Sequence, residues 1–128
     1  MPDPIAFDGV IPVLRVFDVA KADAFYLGFL GLRLDWEHRF GENFPLYRQV
    51  SRAGLILHLS EHHGDGSPGA QVRIAIRGLR ALHSELAAKD YRFFRPEIVE
   101  TQWSTLEMSV TDPFGSRLVF AERAQPSQ

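Results

Sequence analysis

Twice in this chain an alternating run of apolar and polar positions gives way to helical spacing, about 60 residues apart. Val13-Leu14-Arg15-Val16-Phe17-Asp18-Val19 leads into one amphipathic stretch, Ala20 to Leu30, and Arg73-Ile74-Ala75-Ile76-Arg77-Gly78-Leu79 into another, Arg80 to Lys89. A period of two predicts a strand, and a period near 3.6 predicts a helix. Several strand-like runs follow each helix. Self-similarity at this period indicates one supersecondary unit used twice. The expected architecture is two strand–helix–strands modules, a pair of half-barrels facing one cavity.

The first strand is expected over Val10 to Phe17, with Asp18 capping the helix through its carboxylate. Ala22, Phe25, Tyr26, Phe29 and Leu30 then form one buried stripe that Gly31 ends. Leu32 to His38, Leu46 to Arg52 and Leu55 to Ser60 read as strands, separated by turns at Gly41-Glu42-Asn43 and Ala53-Gly54. His62 to Ala70 has the turn residues of a linker. The second half repeats the plan. Val72 to Arg77 is a strand, and Leu79, Leu82 and Leu86 line the buried side of a helix. A short strand is expected at Tyr91 to Phe94, and longer ones at Trp103 to Thr111 and Arg117 to Glu122. Asp112-Pro113-Phe114-Gly115 fits a turn between the last two. Ala124 to Gln128 reads as a frayed tail.

Alternation along these strands sorts them into two faces. One is apolar and suited to packing under helices. The other carries Arg15, His58, Ser60, Gln71, Arg73, Glu107, Ser109 and Arg117. A sheet that turns one side to solvent has this pattern, and so does the wall of a small-molecule cavity.

At 128 residues the chain is the length of one domain. We read it as a single domain over 1–128, with module one at about 5–61, a linker at 62–70 and module two at about 71–123. Each half is too short for a comfortable core, so the halves should pack together or pair across a dimer. A net charge of −2 with no basic stripe speaks against nucleic acid as a partner. No apolar run approaches 18 residues, so no membrane partner is expected. Without cysteine there is no disulfide, thiolate metal site or cysteine nucleophile. The first residues lack a secretory pattern, so a cytoplasmic location is the expectation. No nucleophile elbow or phosphate-binding loop is present.

Three features taken in order resemble the glyoxalase/bleomycin-resistance/extradiol-dioxygenase superfamily, the vicinal oxygen chelate fold. They are the repeated module, Phe25-Tyr26-Leu27-Gly28-Phe29-Leu30-Gly31-Leu32 after the first strand, and Asp112-Pro113-Phe114-Gly115-Ser116-Arg117 before the last. The resemblance covers about Val10 to Glu122. The stretch from Leu57 to Asp65 looks most like the bleomycin-resistance branch. The implied fold class is α+β, two βαβββ modules forming a curved mixed sheet around a cavity, flanked by helices. Metal enzymes of the superfamily hold a divalent ion with His and Glu from four strands. Those places fall here at Ile11, His58, Gln71 and Val119, of which only His58 is a good ligand. Glu61, His62 and His63 adjoin His58, but His62 and His63 begin a glycine-rich loop, and the side chains diverge unless that loop folds back.

The resemblance therefore implies a binder rather than an enzyme, with no catalytic residue, no metal and no cofactor. A homodimer would hold a bleomycin-like ligand, an aromatic and possibly cationic antibiotic, in a groove between subunits. Such proteins use aromatic side chains, which points to Trp36 and Trp103, with Phe40 and Phe44 beside the first. His38, His58, Ser60, Arg73 and Glu107 complete the expected ligand-binding set. Glu37, Glu42, Glu61 and Asp65 are candidates to meet a cation, whereas Arg15, Arg73 and Arg117 would suit an anion. The alternative is a lyase or dioxygenase of this superfamily with a metal on His58, aided by Glu61, His62 or Glu107.

Overall fold

In a computed structural model of the chain, residues 3–39, 41–89, 91 and 96–123 are described. Strands β1 (Val13–Arg15), β2 (Arg33–Arg39), β3 (Leu46–Arg52) and β4 (Leu55–Ser60) form one sheet in the order β1-β4-β3-β2. Strands β5 (Gln71–Ala75), β6 (Val99–Glu100), β7 (Thr105–Thr111) and β8 (Arg117–Arg123) form a second in the order β5-β8-β7-β6. In each sheet the first strand runs parallel to the last, and the other neighbours are antiparallel. The repeat legible in the sequence is thus a repeat of topology, two βαβββ modules in an α+β fold.

The first helix, α1 (Val19–Ala22), starts where Asp18 accepts a 3.0 Å hydrogen bond from the Lys21 amide. It does not stay α-helical to Leu30. From Asp23 to Phe29 it is π-helical, and the Leu30 amide bonds back to the Phe25 carbonyl. The wider turn accommodates large rings: Phe25 meets Tyr26 edge-on at 4.8 Å, and Phe29 stacks on Tyr91 at 4.6 Å. The second helix, α2 (Leu79–Ala88), is capped from a distance. Gly78 has no side chain to offer, so Glu122 of β8 accepts the Gly78 and Leu79 amides, each at 3.0 Å.

The strands depart from the expectation in two places. β1 is shorter than Val10–Phe17: the Pro12 carbonyl still accepts the His58 amide at 3.0 Å, but Val10 before it is 89% exposed. β6 has no counterpart in the sequence reading, since two exposed residues carry no alternation to read. The strand expected at Tyr91–Phe94 lies, apart from Tyr91, outside the described residues, as do the tail at 124–128 and Phe40.

One core serves both modules. It joins the packed face of the first sheet (Leu14, Val50, Leu57, Leu59), the rings of the first helical segment, Leu79 and Leu86 of α2, and Met108, Val110 and Leu118 of the second sheet. Polar ties cross the same boundary. The Tyr26 hydroxyl donates to Asp112 at 2.5 Å, Arg52 grips Glu85 with two 2.7 Å bonds, and the Lys89 ammonium donates to the Phe29 carbonyl at 2.7 Å. With both packed faces turned to a shared core, each sheet's other face points away from it. Each half-barrel of a single chain thus opens away from the shared core.

Candidate functional site

The open face of the first sheet is built around His58. Sheet register sets Val13, His58, Gln49 and Trp36 in one row across β1, β4, β3 and β2. A one-residue bulge between Leu34 and Trp36 decides this. Leu34 pairs with the buried Val50, so strict alternation would turn Trp36 toward the core; the extra residue turns it outward. Trp36 is left 44% exposed, lying parallel to Tyr47 at 6.1 Å and edge-on to His58 at 5.3 Å. His38 pairs with Tyr47 in the next row.

A chain of hydrogen bonds fixes this platform. Tyr47 Oη and His58 Nδ1 are 2.7 Å apart, and His58 Nε2 and Gln49 Oε1 are 2.9 Å apart. Gln49 Nε2 donates to Asp35 at 3.1 Å. Burial, with the nearby Asp65 carboxylate, raises the Tyr47 phenol above its ordinary value. The Gln49 amide oxygen can only accept, so His58 Nε2 is the donor of that pair. Hydrogen bonds from Ser51 and Gln49 hold the Asp35 carboxyl below its usual range at the far end of the chain.

Both His58 nitrogens are thus committed. This bears on the metal that enzymes of this fold carry. The other inherited positions bring Ile11, Gln71 and Val119, and Val119 is buried. The neighbouring acids and histidines do not converge either. Glu61 accepts the Leu46 amide at 3.0 Å, His63 is exposed, and the His62 ring lies 6.3 Å from that of Tyr47. Among the described residues no group of three or more His, Cys, Asp or Glu is placed to hold a metal ion. The residues present do not fit the metal site.

The open face of the second sheet is built around Glu107. It accepts from Arg73 at 2.7 Å, from the Thr105 hydroxyl at 2.9 Å and from the Trp103 indole at 3.2 Å. These bonds, Arg73 first among them, pull its carboxyl down to about 2. The Arg73–Glu107 bridge spans Val119 and Ala121, which explains why Val119 is buried on an otherwise open face. Trp103 stands 66% exposed beside it. Arg117 reaches Ser109 at 3.2 Å.

The expected site residues therefore fall into two groups. Trp36, His38 and His58 gather on the first sheet, and Arg73, Trp103 and Glu107 on the second. Ser60 shares the His58 face but is fully buried, its hydroxyl donating to Asp65 and accepting the His62 amide. Phe44 belongs to neither group; its ring lies over Gly41, where an added Cβ would sit 3.0 Å away. Tyr47 and Gln49 escaped the sequence reading, although Tyr47 and Gln49 alternate on β3 just as His58 and Ser60 do on β4. The chain also contains a cleft of about 600 Å³, bordered by Leu32, Leu55, Ile76, Leu82 and the Arg52–Glu85 pair. None of the expected ligand residues lines it.

These features define a duplicated βαβββ protein with two diverged open faces. A family profile described as glyoxalase superfamily protein matches residues 2–127, and the chain belongs to that superfamily. Solved structures agree in fold. The bleomycin resistance determinant encoded on transposon Tn5 is 18% identical with a TM-score of 0.71, over 93% of this chain and 100% of that one. The bleomycin-binding protein of Streptomyces verticillus, in complex with copper(II)-bleomycin, is 27% identical with a TM-score of 0.65, over 95% and 99%. A glyoxalase-related enzyme from Clostridium phytofermentans is 21% identical with a TM-score of 0.70, over 95% and 99%. No curated protein matches the sequence.

Proposed function

We propose that this chain is a stoichiometric small-molecule binding protein of the bleomycin-resistance type, holding an aromatic antibiotic without turning it over. The observation that carries this reading is the platform in which the 44% exposed Trp36 packs on the rings of Tyr47 and His58, themselves half-buried and locked by hydrogen bonds. A rigid ring left open to solvent is suited to stacking a flat ligand at little entropic cost. The open faces look away from their own core, so a second copy is needed to lay one face against the other. The groove is then shared by two subunits, with Trp36 from one and Trp103 from the other. Protection follows from mass action: free drug falls once the protein exceeds its dissociation constant. The bleomycin-binding neighbours support this reading at the level of fold and ligand type.

The test is a titration with bleomycin, metal-free and copper-loaded, alongside sedimentation analysis of the protein. Saturable binding by a dimer, with the drug recovered chemically unchanged, is the expected result. Conversion of the drug, or a monomer that binds neither form, would overturn the proposal.

A further inference from the structure

The open face of the second sheet differs in charge from the rest of the molecule. Among the described residues, Arg73, Arg117 and Arg123 lie on it against the single carboxylate of Glu107. Three guanidiniums against one carboxylate leave a local charge of +2, on a chain whose net charge is −2. Glu107 already has three donor groups. Arg117 has only the neutral Ser109 hydroxyl as a side-chain partner, and Arg123 has no side-chain hydrogen bond or ion pair among the described residues.

Three of the four carboxylates expected to greet a cation are otherwise engaged, the fourth being Glu42 in its exposed turn before β3. Glu37 pairs with Arg48 at 2.7 Å, Glu61 takes the Leu46 amide, and Asp65 accepts from Ser60. Asp35, on the open face of the first sheet, holds Arg33 and Gln49. Glu37, Glu61, Asp65 and Asp35 are satisfied within the chain, whereas Arg117 retains unused donors in the planar fork that matches an oxyanion. Gln71 sits opposite Arg117 in register, which makes Arg73 its diagonal neighbour and a second cation within reach of one bound group.

We infer that the ligand of this groove is an aromatic acid, with a flat ring against Trp36 and a carboxylate, sulfonate or phosphate ester bound by Arg117 beside Arg73. This rests on the proposed binding function and replaces the cationic ligand expected from resemblance. Specificity comes from the second sheet, where a ligand ammonium would meet like charge.

Three probes with one ring system separate the possibilities: 2-naphthalenesulfonate, 2-naphthalenemethanol and 2-naphthylmethylammonium, each titrated into the full chain by ligand-observed NMR. The sulfonate is expected to bind about 10-fold more tightly than the ammonium, with the gap narrowing at high salt. Arg117→Gln is expected to weaken the sulfonate about 5-fold or more while leaving the alcohol unchanged. An ammonium that binds as tightly as the sulfonate would overturn the inference and leave the binding function standing. An Arg117→Gln variant that weakens all three alike would also overturn it. No binding by any of the three would overturn the inference, and the binding function falls with it only if the bleomycin titration also fails.

Discussion

The two open faces sit on the same backbone plan and do opposite things with it. In the first module the face is aromatic and histidine-rich, and its polar atoms are used to hold rings still. In the second it is arginine-rich, and its one acid serves to organise donors. The packed faces show no such split; both supply aliphatic side chains to one core. Duplication therefore fixed what had to be shared, the core and its topology. The two surfaces turned away from that core were left free to diverge.

The sharpest way to break this comparison is to cut what joins the modules. Asp112 accepts from Tyr26, and from the Phe114 and Ser116 amides at 2.9 and 2.8 Å, in a buried setting. Asp112→Ala leaves those donors without a partner and should cost about 2–4 kcal/mol in urea denaturation. Each module holds one tryptophan, so single-tryptophan variants report on each separately. A shared core demands that both transitions keep a common midpoint. Two separate midpoints would show that the modules fold independently.

The faces themselves can be separated by truncation. Trp36→Ala should weaken binding of an aromatic ligand by about 1–2 kcal/mol through lost stacking. Trp103→Ala should do the same only if the opposite wall also touches the ring. Unchanged affinity in both variants would remove the stacking role. A smaller effect concerns the hairpin between β3 and β4. Ala53 is held at φ +49° there, a conformation that disfavours a Cβ. Ala53→Asn should raise stability by about 0.5–1 kcal/mol, read as an upward shift in Tm. No shift would mean that the hairpin carries no strain.

The smallest effect is electrostatic. Arg52 holds the Glu85 carboxyl at about 2, below its ordinary value. A depressed carboxyl stabilises the fold above the unfolded pKa, near 4.5, and loses that contribution as pH falls toward about 2. Glu85→Gln should therefore match the parent protein near pH 2 and fall below it above about pH 5. The gap should stay below about 1 kcal/mol, because solvent screens this partly exposed pair. A gap that widened on acidification would contradict the assignment.

Much of the fold was legible in the order of residues. β3 and β4 fall where alternation put them, and the Asp112–Gly115 turn and the 62–70 linker are turns. Periodicity reports which side of an element is buried, and burial against one core is what these strands share. The π-helical segment lay beyond that reading, because apolar spacing looks alike whether bonds run to the fourth or the fifth residue. The site was half legible. Residue type singled out Trp36, His58, Arg73, Trp103 and Glu107, but not how they would be grouped.

By itself, then, the sequence determined the duplication, the split of the longer central strands into a packed and an open side, and the placing of a single good metal ligand, His58, at the four positions the resemblance assigns. Only the tertiary structure decided that the Leu34–Trp36 bulge turns Trp36 outward, and that Tyr47 and Gln49 occupy both nitrogens of His58. It also decided that each open face looks away from the shared core. The reason is physical. Alternation is a property of neighbours along the chain, whereas register, bulges and the facing of sheets depend on contacts between residues far apart in it.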